Sequence, residues 1–377
     1  MKEELKEVFG KYYQWHEGRV DVLVKFISAL IRSRSVNLQK VAESMEGSAK
    51  VESNYRRIQR LFKEQVIDYR ITAQLLSTIL PNDEKWVLTM DRTNWKLGKS
   101  NVNLLVLGVA YKGMAIPLLW KFLTIEEEID GELIERGKRG NSNTQERKNI
   151  LSDFIEIFGV EKIASLTADR EFIGEEWFAW LKERGIPFVI RLKSNTLIDE
   201  NYFGSKDLKE LFSHTKEDEF YAFGKTKIFN TELYLGGIKA TKSKEALILV
   251  SNHKMDKETL PTYQKRWEIE TLFGALKSKG FNFEESKLTE GYKIEKLMAF
   301  LSIAFVWSIL AGDYRELKKP IPLKKKEPYR IKSVFKYGLE WLKNVLVNAS
   351  IKLKEFQILV ELLKNSFLRC GKIGVVE

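Results

Sequence analysis

The strongest constraint on the fold is an alternation of apolar strands and amphipathic helices that begins just after Pro81. Three strand-like runs come first, with the composition of an antiparallel meander, and helix, strand, helix and strand follow. The runs are 85–90, 103–111, 115–123, 143–158, 163–167, 175–183 and 187–192. This order, βββαβαβ, predicts an α/β fold with Asp91 on the first strand and Asp169 at the end of the fourth.

A second constraint is the stretch 263–277, which has the spacing of one amphipathic helix. An α-helix advances about 100° per residue, so offsets of 3, 7 and 14 place four polar side chains on one stripe beside an apolar face. The four are Tyr263, Arg266, Glu270 and Lys277. A solvated helix face mixes its charges without such alignment, so the stripe predicts a functional site. Glu268 falls well off the stripe, and we expect it to take no part.

The first 80 residues are predicted to form a helical domain. Asn37 is suited to cap a helix that Gly47 ends, and Ser53 to cap a second helix. The second helix displays three arginines, Arg56, Arg57 and Arg60. Two short helices with a basic second member are typical of a DNA-binding helix-turn-helix, although a plain helical bundle with a solvated basic face has the same pattern.

Residues 81–290 are predicted to form a second, α/β domain, and strand-like runs over about 193–257 indicate a β-rich insertion in it. Residues 291–377 are predicted to form a basic helical region. The longest apolar run, 297–311, is about 15 residues long, shorter than the ~20 that a membrane-spanning helix needs. We therefore expect a buried helix and no membrane association.

The chain is basic, with 63 Lys and Arg against 52 Asp and Glu, a net charge of +11. Residues 1–80 carry +4 and residues 291–377 carry +9, so 11 − 4 − 9 leaves −2 for the centre. Basic ends around a nearly neutral centre favour a polyanionic partner such as DNA. A lone cysteine, Cys370, and three scattered histidines argue against a disulfide or zinc site and favour the cytoplasm.

Three carboxylates far apart in sequence suit a two-metal phosphoryl-transfer site: Asp91, Asp169 and Glu270. Mg²⁺ prefers a few carboxylate oxygens and leaves positions open for water and phosphate. Two such ions, about 3.5–4 Å apart, activate the attacking oxygen and stabilise the leaving one. Taken singly, either aspartate has the position of a turn or helix-cap residue.

The sequence resembles the bacterial insertion-sequence DDE transposases of the insertion-sequence family four type. The spacing Tyr-x2-Arg-x3-Glu-x6-Lys at 263–277 matches their signature at all four positions, and Met-Asp-Arg-Thr-Asn-Trp at 90–95 and Ala-Asp-Arg-Glu-Phe at 168–172 are similar to their two aspartate motifs. The resemblance implies a cut-and-paste enzyme with an RNase H-like core, a β-rich insertion and helical flanks. It covers about 85–290 strongly and the N-terminal region loosely.

The resemblance also implies roles for individual residues. Asp91, Asp169 and Glu270 are expected to be catalytic and to bind Mg²⁺, with Mn²⁺ as a substitute. The remaining members of the signature, Tyr263, Arg266 and Lys277, are expected to hold DNA phosphates. Trp267 is a candidate for stacking on an unpaired base, and packing at the helix edge is an equally good interpretation.

Two residues beside Asp169 are further candidates. Glu171 shares its strand face if the strand continues, which makes it a candidate auxiliary site residue. Arg170 is expected to form a local salt bridge or a DNA contact.

The leading hypothesis is a DNA transposase that binds double-stranded terminal inverted repeats, cleaves each end and joins the 3′-OH ends to target DNA. It is expected to act as a homodimer in a synaptic complex. Two alternatives are open: an RNase H-like DNA nuclease without strand transfer, and a catalytically decayed DNA-binding regulator.

Overall fold

A computed structural model of the protein describes residues 2–129, 132–196, 198, 208–213, 215–216, 219–239, 245–324 and 330–369. Cys370, His214, Lys325 and Lys326 lie outside these residues. The strands are β1 (Trp86–Leu97), β2 (Ser100–Tyr111), β3 (Met114–Phe122), β4 (Thr124–Ile129), β5 (Glu132–Gly137), β6 (Ile163–Ala168), β7 (Phe188–Arg191), β8 (Phe220–Ile228), β9 (Thr231–Ile238) and β10 (Leu247–Ser251).

The helices fall into a group before the sheet, a group around it and a group after it. They are α1 (Lys2–Gly10), α2 (Glu17–Ser33), α3 (Leu38–Glu43), α4 (Val51–Glu64), α5 (Tyr69–Ser77), α6 (Thr144–Phe158), α7 (Glu175–Glu183), α8 (Leu208–Ser213), α9 (Thr259–Gln264), α10 (Trp267–Leu276), α11 (Gly291–Lys318), α12 (Val334–Val347) and α13 (Leu353–Leu368). The predicted α/β class with helical flanks is confirmed.

Within the described residues, eight strands form one mixed sheet in the order β3-β2-β1-β6-β7-β10-β9-β8. The meander β1-β2-β3 is antiparallel, as predicted, and its second turn carries Lys112 and Gly113 at positive φ, as a tight hairpin requires. Strands β6 and β7 then add in parallel to β1. This mixed sheet is consistent with an RNase H-like transposase core.

The predicted β-rich insertion supplies strands β8, β9 and β10. These strands continue the central sheet through antiparallel pairing of β10 with β7. A separate hairpin, β4–β5, lies between β3 and α6 and was not predicted. Its first strand reads Thr-Ile-Glu-Glu-Glu-Ile, and consecutive glutamates disfavour a strand prediction.

Helix α11 is the centre of the helical part. Among the described residues, it is the one helix whose length and composition would allow it to cross a membrane. However, 89% of its most apolar window is buried inside the protein. Phe300 makes edge-to-face contacts with Phe26 of α2 and Phe62 of α4, and the Trp307 indole donates to the Leu359 carbonyl of α13. The predicted buried helix is therefore confirmed, and N- and C-terminal helices pack around it.

Two consecutive residues of α11 connect the sheet to the N-terminal helices. The Glu295 carboxylate accepts a 2.8 Å hydrogen bond from the backbone N–H of Phe122 in β3, and its carbonyl accepts from the Trp120 indole. The buried Lys296 ammonium donates to the Phe62 carbonyl in α4 at 2.7 Å. One turn of α11 thus holds β3 and α4 at once.

The N-terminal helices differ in detail from the prediction. Asn37 caps α3, because its side chain accepts from the backbone N–H groups of Gln39 and Lys40. The predicted cap Ser53 is wrong: α4 begins at Val51, so Ser53 lies inside its first turn. The connection 44–50 between α3 and α4 is longer than the three or four residues of a typical helix-turn-helix.

Candidate functional site

Asp91 and Asp169 lie side by side where the parallel pairing of β1 and β6 ends. Met90 pairs with Ala168 in the sheet register; Asp91 is the next residue of β1, and Asp169 is the first residue after β6. Each carboxylate accepts a 2.7 Å hydrogen bond at Oδ1 from the backbone N–H of the following arginine. The two aspartates therefore have matching local geometry. Strand β1 continues to Leu97, so Asp91 lies inside a strand and not at its end.

Asp91 is largely but not fully buried, with 20% of its side chain exposed, and it lies near other carboxylates. Burial raises the pKa of its carboxyl from 3.8 to about 6; the Arg92 N–H and the Arg266 guanidinium oppose the rise, and the Glu171 and Asp169 carboxylates add to it. A buried carboxyl whose neighbours are carboxylates is expected at a cation-binding or catalytic site.

The stretch 263–277 is not the single helix that was predicted. Helix α9 ends at Gln264 and α10 begins at Trp267. At the junction the backbone N–H of Arg266 bonds to the Tyr263 carbonyl three residues back, at 2.9 Å. The backbone stays right-handed helical, but the turn tightens, so the four side chains do not share one straight stripe.

Arg266 lies between two members of the predicted triad. Its Nη2 donates to Glu270 Oε1 at 2.7 Å, and its Nη1 lies 3.9 Å from Asp91 Oδ2. The Arg266 side chain is nearly inaccessible (4% exposed), whereas the Glu270 side chain is 55% exposed. A single guanidinium thus brings the α10 glutamate towards the β1 aspartate.

The other signature residues have different environments. Tyr263 is buried beside Val189, Leu249 and Met255, and burial raises the pKa of its hydroxyl to about 12. Lys277 lies just past the end of α10. Its ammonium pairs with Glu284 at 2.6 Å and sits 5.6 Å from the centre of the Trp95 ring.

Trp267 is partly accessible, with 44% of its surface exposed. Its ring meets the Tyr263 ring edge to face at 6.1 Å, and the Arg266 guanidinium lies 5.5 Å from its centre. The indole is therefore not part of the core, although it leans on the buried tyrosine.

Glu171 is held by Arg92 and does not point freely into the site. Arg92 Nε and Nη2 donate to its two carboxylate oxygens at 2.6 and 2.8 Å. The remaining Arg92 donors reach Asn103, the Gly140 carbonyl and Asn141. Such a two-point pair fixes both partners in one geometry.

Arg147 of α6 secures the same loop from the other side. Its Nη2 donates to the Glu171 backbone carbonyl at 2.9 Å, and its guanidinium lies over the Phe172 ring. The loop that follows Asp169 is therefore tied by two buried arginines, Arg92 and Arg147. Sequence reasoning missed both supports: the adjacency of Arg92 to Asp91 was the available signal for one, whereas Arg147 has the pattern of an ordinary helix residue.

Glu268 faces away from the aspartates. Burial raises the pKa of its carboxyl, and the backbone N–H groups of Tyr111 and Gly113, in the β2–β3 turn, oppose the rise. Arg170 forms a salt bridge with Glu245, which lies 75 residues further along the chain.

The α4 arginines lie on a separate surface. Arg56 and Arg60 are exposed and Arg57 is half-buried. With Lys63 and Lys293, the two exposed arginines line a groove of about 700 Å³. None of the three arginines pairs with an acidic residue in the described part of the chain.

The donor set fits a hard divalent cation, because all three predicted ligands are carboxylates and two of them lie at adjacent strand positions. Among the described residues, no group of three or more His, Cys, Asp or Glu side chains is assembled with metal-binding geometry. The Glu270 carboxylate is paired with Arg266 instead.

Comparison with known families gives one match. Residues 134–307 match the family model of the transposase DDE domain, a range that includes Asp169 and 263–277 and begins after Asp91. No curated protein matches the chain. The family match implies a DNA-acting nuclease or transposase enzyme. Together with the mixed sheet, it supports a DDE transposase.

Proposed function

We propose that the protein is a cut-and-paste DNA transposase of the Tyr-Arg-Glu-Lys insertion-sequence type. It binds double-stranded terminal inverted repeats, cleaves the DNA at each end and joins the freed 3′-OH to target DNA. The observation that carries the proposal is the side-by-side position of Asp91 and Asp169, with Glu270 brought towards them through Arg266.

Asp91, Asp169 and Glu270 are the proposed holders of Mg²⁺, with Mn²⁺ as a substitute. When bound, such ions activate the attacking oxygen and stabilise the leaving oxygen of a phosphodiester. The raised pKa of Asp91 supports this role, since it reflects a buried, carboxylate-rich environment whose negative charge a divalent cation would offset. Arg92 and Arg147 keep the loop after Asp169 in place.

The proposed DNA contacts are of two kinds. Trp267, 44% exposed, is accessible enough to stack on an unpaired base as it stands. Lys277 is 22% exposed and is paired with Glu284, so it would exchange that carboxylate for a DNA phosphate. Tyr263 is buried by other side chains, so its contact requires a movement of its own surroundings. Arg266 is buried and paired with Glu270, so its contact with a phosphate requires Glu270 to leave when cation and DNA bind. The same step would free Glu270 to act as a ligand.

The α4 arginines Arg56, Arg57 and Arg60 are the proposed contacts to the inverted repeats. Within the described residues they have no acidic partners, which supports the proposal, because unpaired cations gain most from DNA phosphates. The active form is proposed to be a homodimer with two paired ends, acting in the cytoplasm.

The test is an assay of purified protein with Mg²⁺ and linear DNA carrying the element's own ends. Cleavage and strand transfer should both be abolished in Glu270→Gln and retained in Glu268→Gln, a matched change two residues away. Cleavage without joining would instead favour an RNase H-like nuclease. Specific binding without cleavage under any divalent metal would favour a decayed regulator.

A further inference from the structure

Two arginines converge on one carboxylate oxygen beside Asp169. Arg170 Nη1 and Arg191 Nη2 lie 3.0 and 3.2 Å from the same atom, Glu245 Oε2. Arg170 follows the β6 aspartate directly, Arg191 ends β7, and Glu245 precedes β10. Three segments far apart in sequence thus build one site for a singly bound anionic oxygen.

This site adjoins the proposed catalytic centre. Ile190 of β7 pairs with Ala168 of β6, so Arg191, the last residue of β7, lies beside Asp169, the first residue after β6. The second terminal nitrogen of Arg191, Nη1, lies 4.0 Å from Asp169 Oδ1. An anion on the two arginines would therefore lie next to a carboxylate of the triad.

The site opens into a cleft of about 380 Å³. Besides the two arginines and Glu245, the cleft is lined by Lys239 and by apolar side chains of the insertion, among them Phe212 and Ile248. The two arginines place their guanidinium groups at the mouth of this cleft. Neighbouring guanidinium groups have the electrostatic character of a nucleic-acid contact.

Glu245 is the weakest-held member of the cluster. Its side chain is 70% exposed, and ion pairs of exposed groups contribute little stability. A phosphodiester offers the same kind of acceptor oxygen, and a guanidinium binds phosphate as well as carboxylate. An incoming phosphate can therefore replace the carboxylate without leaving either arginine unpaired.

We propose that Arg170 and Arg191 form a binding site for a DNA phosphodiester next to Asp169, and that Glu245 occupies this site until DNA displaces it. The proposal rests on the proposed function, because it assumes that DNA is the substrate. Neither arginine nor Glu245 belongs to the signature at 263–277, so the site is an addition to the contacts proposed above.

The test measures DNA affinity by fluorescence anisotropy across a salt series in EDTA, so that no cleavage occurs. Glu245→Gln removes the competing charge and should tighten binding by about two- to fivefold, the range expected for release of one exposed ion pair. Arg170→Gln should weaken binding and lower the salt slope by about 1, the change expected when one phosphate is no longer neutralised. In the double variant, the gain from Glu245→Gln should shrink.

Glu232→Gln is the matched control, because Glu232 forms a similar exposed pair with Lys225 on the β8–β9 hairpin. It should leave DNA affinity unchanged. An affinity of Glu245→Gln equal to that of the control, or an undiminished gain in the double variant, would overturn the site. If the site were overturned in this way but the unaltered protein still cleaved DNA carrying the element's ends, the proposed function would stand. Failure of the unaltered protein to bind DNA at all would overturn both.

Discussion

Arg266 Nη2 donates a 2.7 Å hydrogen bond to Glu270 Oε1. The pair joins a buried cation to a largely exposed carboxylate one helical turn away, and the same guanidinium lies near Asp91. Arg266 is thus a positive charge that the two carboxylates share. This relationship leads to the first two predictions.

Arg266→Ala is expected to lower the free energy of unfolding by about 1–3 kcal/mol in EDTA, less than for a fully buried pair because water screens Glu270. Equilibrium urea denaturation measures the loss. Glu270→Gln, which keeps an acceptor for Arg266, should lose less. Equal losses in the two variants would mean that the buried guanidinium contributes nothing beyond the pair.

Mg²⁺ is expected to stabilise the protein through the three carboxylates. A ligand that binds only the folded state at ten times its Kd adds about 1.4 kcal/mol. The rise in thermal midpoint with Mg²⁺ or Mn²⁺ should vanish in Asp91→Asn and in Glu270→Gln. It should persist in Glu268→Gln, and equal loss in that control would point to a general effect of charge.

The pKa of Asp91 makes stability depend on pH. The folded pKa, about 6, lies above the ordinary value of 3.8, so the unfolded chain releases the proton first as the pH rises. The Asp91 contribution therefore becomes unfavourable between about pH 4 and 6 and stays so above. Asp91→Asn should stabilise the metal-free protein by about 3 kcal/mol at pH 7 and by little at pH 4. Urea denaturation at the two pH values checks this, and an equal effect at both would contradict it.

Arg92 is expected to position the loop that follows Asp169. Removing one partner of a fully buried, hydrogen-bonded charge pair costs about 3–5 kcal/mol. Glu171 is 22% exposed, so Arg92→Ala should lose less than this, about 2 kcal/mol. Arg92→Lys keeps the charge but cannot make the two-point contact to Glu171, and should retain the fold with faster amide hydrogen exchange over 169–174. Unchanged exchange in Arg92→Lys would show that the contact does not order the loop.

The α4 arginines are expected to bind DNA phosphates and so to make DNA affinity depend on ionic strength. Replacing Arg56, Arg57 and Arg60 by glutamine should reduce the salt slope by about 3, one for each phosphate that is no longer neutralised. The control is Arg70→Gln, an exposed arginine already paired with Glu156, which should leave the slope unchanged. A steep slope retained in the triple variant would move the DNA surface elsewhere.

Local sequence patterns were sufficient to predict the sheet core and the aspartates. Apolar runs located β1–β3, β6 and β7, and Asp169 follows its strand as expected. The pairing of the insertion with the sheet was not predictable, because β10 and β7 are more than fifty residues apart and local patterns do not show which strands pair. The Arg92–Glu171 contact, 79 residues apart, was hidden for the same reason. The break between α9 and α10 was not predictable either, because no glycine or proline lies at the tightened turn around Arg266.

The adjacent contacts of Glu295 and Lys296 bear on the distance along the DNA between the bound repeat and the cleaved bond. One turn of α11 grips the meander that carries Asp91 on one side and the arginine-bearing α4 on the other. If α4 binds the inverted repeat, the packing of the folded core sets the number of base pairs between the recognised sequence and the cleaved bond. In that case α11 fixes the distance between α4 and Asp91. The position of cleavage should then be constant without a linker of defined length between the two domains.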